Sequence, residues 1–574
     1  MTKRVKKQSG RIFSKGLYDT RKLLFATIVA LIVPNVALCF TENMPLLVCI
    51  CNLAWPLSFY SFLLSLGKNT GKVVCWTFPF MFLAAFQLVL LYLFGSGIIA
   101  VDMFLNVVTT NPGEAFELLD NIALGVLIVI LLYIPLLLWS IVSIRRKAIS
   151  SNDFIKKLRK TALIGFGITI PLTISCYIFV PTFSFKTDIF PANVCYNLFL
   201  SIERTYKTSH YEETSRDFSF HAKSTHNKDD KEIYMLVIGE TARSLNFGIY
   251  GYERNTTPLL SRTKGAIVFT DALTQSNTTH KSVPMLMSAI SAQNFDSIYF
   301  QKSIITAFKE AGFRTAFFSN QRRNRSFIDF FGQEADTCVF IKELETENND
   351  NPNDNELLKY VEKEISGTER KLFIVLHTYG SHFKYNERYA ADEAVFKPNT
   401  KMEADRKNKE HLVNAYDNTI LQTDKLLNRL MRMLEESNSL SAMIYTSDHG
   451  EDIFDDDRNA FLHSSPVPSY YQLHVPLIVW TSQNYRSAYP NIVKNLLFNK
   501  RKPVSTSADV FYSMLDIAGI STPFQNDSLS LASNRFKPAE RYFINDRNIP
   551  KRIDNIGLSE NDLKMFSNKG LKFP

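Results

Sequence analysis

Residues 232–243 read Glu232-Ile233-Tyr234-Met235-Leu236-Val237-Ile238-Gly239-Glu240-Thr241-Ala242-Arg243. A short, unbroken apolar run that stops at a glycine and a carboxylate suits a strand buried on both faces. Comparable runs recur at Ala266–Thr270, Thr315–Phe318, Cys338–Ile341, Leu372–Leu376, Ala442–Tyr445 and Pro476–Trp480. Helix-like stretches lie between them, at Ser303–Ala311, Leu357–Ile365 and Glu410–Glu436. Short buried strands alternating with helices predict an α/β domain with a mostly parallel sheet.

In such folds chemistry sits beyond the carboxyl ends of the strands. Polar clusters stand at those ends: Glu240 to Arg243 after the first run, His377-Thr378-Tyr379-Gly380-Ser381-His382 after Leu372–Leu376, and Thr446-Ser447-Asp448-His449-Gly450-Glu451-Asp452 after Ala442–Tyr445. His463 follows in the next loop. A fourth cluster, Thr274 to Pro284, is dense in hydroxyls and leads into an apolar segment, Met285 to Ile290, that reads as a helix. A hydroxyl there is either a helix cap or a group that holds a phosphoryl against free backbone N–H groups.

Carboxylate and imidazole together suit a zinc-type divalent site. Asp448 and His449 offer one oxygen and one nitrogen, and Glu240 offers another oxygen. A hydroxyl as fourth ligand would lose its proton more easily and become a nucleophile. His382 and His463 could hold a second metal or a substrate phosphate, or protonate a leaving oxygen. His377 reads as packed or supporting, and His474 as structural. The acidic runs 345–356 and 455–457 lack calcium-loop spacing and read as solvated loops.

The first third of the chain is different. Mean hydropathy over all 574 residues is −0.07, but five apolar segments stand out: Leu23–Phe40, Pro45–Leu66, Val73–Phe94, Ile122–Ile144 and Ala162–Val180. Each can cross ~30 Å of hydrocarbon as a helix. Lys and Arg crowd the N-terminus and the loops after spans two and four, whereas residues 41–44 and 95–121 have none. The positive-inside rule then places the N-terminus in the cytoplasm and everything after Pro181 outside. The net charge of +9 follows this topology, so nucleic-acid binding is not expected. The spans hold almost no ionisable residues, which argues for an anchor rather than a transporter. Seven cysteines are present, and five lie in apolar segments. Cys195 and Cys338 alone remain, so the outer part can hold at most one disulfide. The expected domains are a transmembrane bundle over 1–181, a polar linker over 182–231 and a catalytic domain over 232–574.

The sequence resembles bacterial phosphoethanolamine transferases that modify lipopolysaccharide. The resemblance rests on Gly239-Glu240-Thr241-Ala242-Arg243, Gly251-Tyr252-Glu253-Arg254-Asn255-Thr256-Thr257-Pro258, Asn277-Thr278-Thr279 with Ser282-Val283-Pro284, Gly380-Ser381-His382, Ser447-Asp448-His449-Gly450-Glu451 and Leu462-His463. It implies five spans and a sulfatase-like domain of the alkaline phosphatase superfamily. It implies that Thr279, five residues before Pro284, is the nucleophile and a metal ligand with Glu240, Asp448 and His449. The metal would be one tightly bound zinc ion, with a second ion possible near His382 and His463, the histidines by the transferred group. Asn106 and Glu114 would meet the donor head group. The implied donor is phosphatidylethanolamine, the acceptor lipid A or a core glycolipid, and the setting the inner membrane, with a monomeric chain facing the periplasm. Two departures stand out: Gln275 and Met285 replace flanking cysteines, and His280 replaces a small residue. The rival readings are a phosphoglycerol transferase, a sulfatase, which would need an arginine absent after Pro284, and an inactive membrane sensor.

Overall fold

The computed structural model describes residues 20–42, 44–95, 97–109, 123–344, 353–367 and 369–572. Two compact units result, Met1–Leu105 with Gly113–Ile202, and Asn106–Pro112 with Glu203–Pro574.

The first unit is helical: α1 Thr20–Thr41, α2 Leu46–Leu64, α3 Thr70–Trp76, α4 Phe78–Phe94, α5 Val101–Thr109, α6 Ala123–Arg145 and α7 Asn152–Phe179, followed by the start of α8, Ala192–Ser209. Among the described residues, four helices (α1, α2, α6 and α7) are long and apolar enough to span a membrane. A fifth span requires counting α3 and α4 together, and these bend by 51°. The third expected span is therefore broken at Thr77. Pro79 at the start of α4 cannot donate a backbone hydrogen bond, and the Thr77 hydroxyl bonds back to the Val74 carbonyl at 2.7 Å. Helix α7 begins ten residues before the apolar run, because Ser151 caps it through Phe154 N–H at 3.3 Å. In the bundle interior the Asn35 amide donates to the Asn52 and Phe190 carbonyls at 2.9 and 2.8 Å. Such polar contacts join helices where no hydrophobic drive separates helix from lipid.

Residues 182–231, which contain the boundary between the two units, are packed and not loose. Phe190 and Val194 bury in the core of the helical unit, while Tyr211, Phe220 and Ala222 bury in the core of the second. The short apolar patches in this polar segment are what anchor it on each side.

The second unit is built on a seven-stranded sheet. Its strands are β1 Glu232–Gly239, β2 Ala266–Phe269, β3 Arg314–Ser319, β4 Thr337–Phe340, β5 Lys371–His377, β6 Leu440–Ser447 and β7 Leu477–Thr481. The order is β2-β7-β6-β1-β5-β3-β4. Strand β7 runs antiparallel to both its neighbours, and the other ladders are parallel. Alternate residues of β1 enter opposite cores: Tyr234, Leu236 and Ile238 one, Ile233, Met235 and Val237 the other. That two-sided burial explains the uninterrupted apolar run. The helices that serve the site are α9 Thr279–Leu286 and α10 Lys409–Glu436, and α11 Pro490–Asn499 packs at the sheet edge. All seven cysteines are free thiols.

Candidate metal and nucleophile centre

Strand register creates the site. Ile238 pairs with Thr446 on one side and His377 on the other, and Gly239 pairs with Ser447. Glu240 and Asp448 therefore leave adjacent strands at one level, roughly 4.8 Å apart. Glu240, Asp448 and His449 offer ligand atoms that all lie within 4.8 Å of one another, and all three are buried. The Thr279 hydroxyl completes the group, 3.3 Å from Glu240 Oε1 and 3.1 Å from His449 Nε2.

The surrounding residues set the donor atoms. His449 Nδ1–H donates to the Gly450 carbonyl at 3.0 Å, which turns the Nε2 lone pair toward the cluster. Asp448 Oδ1 accepts from Thr241 N–H at 3.1 Å and His449 N–H at 2.7 Å. Thr241 donates its hydroxyl to Glu240 Oε1 at 2.7 Å from a left-handed backbone, φ 60°. Such a backbone is uncommon for a residue other than glycine. Gln321 donates its amide to Glu240 Oε2 at 3.0 Å and lies 3.1 Å from His377 Nε2. His377 thus supports the site from one residue away, as its sequence position suggests.

Electrostatics favour a cation. Burial raises Glu240 well above its ordinary value, and the Asp448 carboxylate adds to this. Burial pushes Asp448 up to about 7 and His449 down to about 4. Two carboxyls and an imidazole in a dry cluster are a poor arrangement without a cation and a good one with it. The donor set, two carboxylate oxygens, one imidazole nitrogen and one hydroxyl, fits a zinc ion.

Thr278, not Thr279, is the helix N-cap, and it makes no side-chain cap bond. Helix α9 starts at Thr279, earlier than the apolar segment suggests, and ends at Leu286. Lys281 and Ser282 N–H both bond to the Thr278 carbonyl, at 3.1 and 3.0 Å, and close the first turn of the helix. The cap position of this stretch is thus Thr278, while the Thr279 hydroxyl faces Glu240 and His449.

The two flanking histidines are close together. His463 lies 4.2 Å from His449 and 6.4 Å from His382, ring centre to ring centre. Burial lowers His463 to about 4 and takes His382 well below the usual range; Arg388, His463 and Lys342 add to the latter. Nδ1 of His382 is buried with no hydrogen-bond partner among the described residues. Glu451 faces His463 Nδ1 at 3.5 Å and accepts from the Tyr385 hydroxyl. His280 is half-buried beside Thr279, and its proximity lowers His449 further. Asn106 falls in α5, with its side chain outside the description, and Glu114 lies outside the described residues.

Sequence reading missed several supports. Gln321 follows a strand end but carries no ligand chemistry of its own. Asp354, within a run read as a solvated loop, accepts from the N–H groups of Tyr379 and Gly380 at 2.8 and 2.9 Å. It thereby fixes the loop that carries His382. Asp455, in the other such run, pairs with buried Arg243 at 2.6 Å. That arginine also donates to Asn246 and the Glu451 carbonyl, and lies over the rings of Tyr416 and Tyr471. Arg243→Ala is expected to cost about 3–5 kcal/mol, the scale for breaking a buried pair. Urea unfolding measures it, and Asp455→Asn in the same chain should recover part of the loss.

Gly380 is required by space. Its φ is 47°, and a Cβ there would sit 2.7 Å from the Glu240 carbonyl oxygen and 3.0 Å from its nitrogen. Gly380→Ala must push the metal-ligand strand end away. Destabilisation of about 1–3 kcal/mol is expected, together with weaker zinc binding by calorimetry.

Comparison with known proteins agrees with this geometry. A family model described as Sulfatase matches residues 232–520, and one described as Phosphoethanolamine transferase EptA/EptB matches residues 97–204. Phosphoethanolamine transferase EptC of Escherichia coli K12 is 25% identical over 321 residues, 54% of this chain and 55% of EptC. EptA of the same strain is 27% identical over 307 residues, 52% of this chain and 55% of EptA. The chain thus spans about half the length of the curated relatives it matches. The solved integral membrane lipooligosaccharide phosphoethanolamine transferase A of Neisseria meningitidis superposes with a TM-score of 0.68 at 20% identity, over 90% of this chain and 96% of that one. A zinc complex of the periplasmic domain of E. coli EptC gives 0.53 at 23% identity, over 58% of this chain and 96% of that one. These two likenesses establish the fold.

Proposed function

We propose, from the premise that this chain belongs to the sulfatase family, that it transfers phosphoethanolamine from phosphatidylethanolamine to a lipid A or core glycolipid. The observation that carries the reading is the Thr279 hydroxyl, 3.3 Å from a buried carboxylate and 3.1 Å from a buried imidazole at a helix start. The names and fold of the relatives support the same reaction class.

Glu240, Thr279, Asp448 and His449 would hold a zinc ion, which lowers the hydroxyl pKa and stabilises charge on the phosphoryl oxygens. Thr279 Oγ forms a bond to the donor phosphorus as the bond from phosphorus to the diacylglycerol oxygen breaks. The threonine proton leaves toward the carboxylates, and diacylglycerol departs as the alcohol after taking up a proton. The product is a phosphodiester of Thr279 and ethanolamine. An acceptor oxygen then displaces Thr279 and restores its hydroxyl. Burial holds His382 and His463 neutral in the resting site. A bound phosphate anion raises their pKa and makes them able to donate. Asn106 and Glu114 are the proposed head-group contacts. The proposed setting is the bacterial inner membrane, with an N-terminus in the cytoplasm and the second unit in the periplasm, acting as a monomer.

The test is direct. The full chain is incubated with zinc and fluorescent phosphatidylethanolamine, and diacylglycerol and the mass of the Thr279 peptide are followed. Release of diacylglycerol with added phosphoethanolamine on Thr279 is the expected result. Neither product from a chain with bound zinc would sink the reading.

A further inference from the structure

Away from the centre, one stretch of the second unit combines exposed apolar and basic groups: Leu496-Leu497-Phe498-Asn499-Lys500-Arg501-Lys502 at the end of α11. Leu496 and Asn499 face inward and are buried. The Asn499 amide donates to the Leu531 and Ser533 carbonyls, both at 2.9 Å, so the helix end is clamped. Leu497 and Phe498 point out, 48% and 72% exposed.

Single exposed apolar residues need no explanation. Here their neighbours do. Lys494, Lys500 and Arg501 make no ion pair or hydrogen bond through their side chains among the described residues. Lys502 donates to the Phe536 carbonyl at 3.1 Å, and its ammonium lies 4.8 Å from the Phe498 ring centre. An aromatic wedge ringed by uncompensated cations is what an anionic lipid surface attracts: the ring enters the headgroup boundary while the cations meet phosphates. A water-facing helix end would ordinarily intersperse carboxylates among its lysines.

Position within the unit strengthens the point. The Lys500 carbonyl accepts from Thr270 N–H at 3.1 Å, just past the carboxyl end of β2. Val504–Ser505 then pairs in parallel with Ala272–Leu273, the two residues that lead into the Thr274–Thr279 stretch. Phe269 and Thr446 both pair with Leu477, so the patch lies toward the same end of the sheet as the Glu240–Asp448 cluster, with β7 between their strands. The helical unit has four helices long and apolar enough to cross a membrane among the described residues, which supports a bilayer as the partner surface.

We propose that the end of α11 docks on the anionic lipid surface. Docking would hold the carboxyl end of the sheet, where the Thr279 centre lies, toward lipid head groups. It does not depend on the reaction proposed above, because lipid binding is read without turnover.

The experiment uses the full chain, one copy per nanodisc, in discs of phosphatidylcholine alone or with added phosphatidylglycerol. Amide hydrogen exchange is followed over residues 490–503. Slower exchange in the phosphatidylglycerol discs is expected, weakened by salt. Lys500→Glu with Arg501→Glu should remove it, on the scale of about fivefold in occupancy per cation lost. Phe498→Ser should reduce it. Unchanged exchange elsewhere in the second unit would show that these surface variants fold. Equal exchange in both discs, protection that survives the double charge reversal, or protection appearing only with two copies per disc would each overturn the proposal.

Discussion

A Thr279→Ala chain is expected to lose diacylglycerol release from fluorescent phosphatidylethanolamine by at least about a thousandfold, the scale for removing a group that acts on the reacting atoms. It should carry no phosphoethanolamine on the corresponding peptide. Thr278→Ala is the informative partner. Thr278 is the N-cap but makes no side-chain cap bond. Its hydroxyl lies 3.0 Å from Ser276 Oγ and bonds to none of Glu240, Asp448 and His449 among the described residues, so that variant should keep most of its rate. Thr279→Ser, which retains a hydroxyl, should fall between the two. A dead Thr278→Ala beside an active Thr279→Ala would reassign the nucleophile and with it the whole centre.

Removing the metal should have the second largest effect, and its size should depend on pH. Asp448 is raised to about 7 and Glu240 is raised well above its ordinary value, both chiefly by burial. For a carboxyl whose folded pKa exceeds its unfolded value, folding favours the protonated form. That advantage is fully present below the unfolded pKa and is lost as pH rises through the folded one. The metal-free chain should therefore lose stability from about pH 4 up through pH 7, where Asp448 is forced to ionise, and Glu240, raised in the same direction, adds to the loss. Zinc offsets this most where both are ionised. Chelation should lower the melting temperature of the second unit clearly at pH 8 and much less at pH 5, with zinc restoring it. At a free zinc level of a hundred times Kd the gain is about 2.7 kcal/mol. Zinc binding near pH 6 should also release protons, visible as a buffer-dependent heat in calorimetry. A chelation effect of equal size at both pH values would mean that these carboxyls do not hold the ion.

Much of the fold was legible before any coordinates. The strands of the central sheet coincide with seven short apolar runs, because a strand buried on both faces has no polar residue to hide. The cluster at their carboxyl ends was legible because Glu240, Asp448 and His449 each follow such a run directly. Boundaries were less legible where one local group overrides the hydropathy. Thr77 and Pro79 break an apolar stretch into two bent helices. Ser151 starts α7 among lysines. A few buried aromatics tie down residues 182–231, whose average composition is that of a linker.

The sequence by itself determined which residues could do chemistry, because carboxylate, imidazole and hydroxyl groups are chemical facts of the chain, and their places after strands follow from hydrophobic periodicity. Only the tertiary structure decided which of them meet. The pairing of Gly239 with Ser447 brings Glu240 level with Asp448, 208 positions further along the chain. The left-handed turn at Gly380 lets the His382 loop pass within van der Waals distance of Glu240. Gln321, Asp354 and Asp455 gained their roles in the same way. Each is an ordinary polar residue in sequence, and becomes a support for the site only because folding brings its partner to it, from a part of the chain that no local pattern connects.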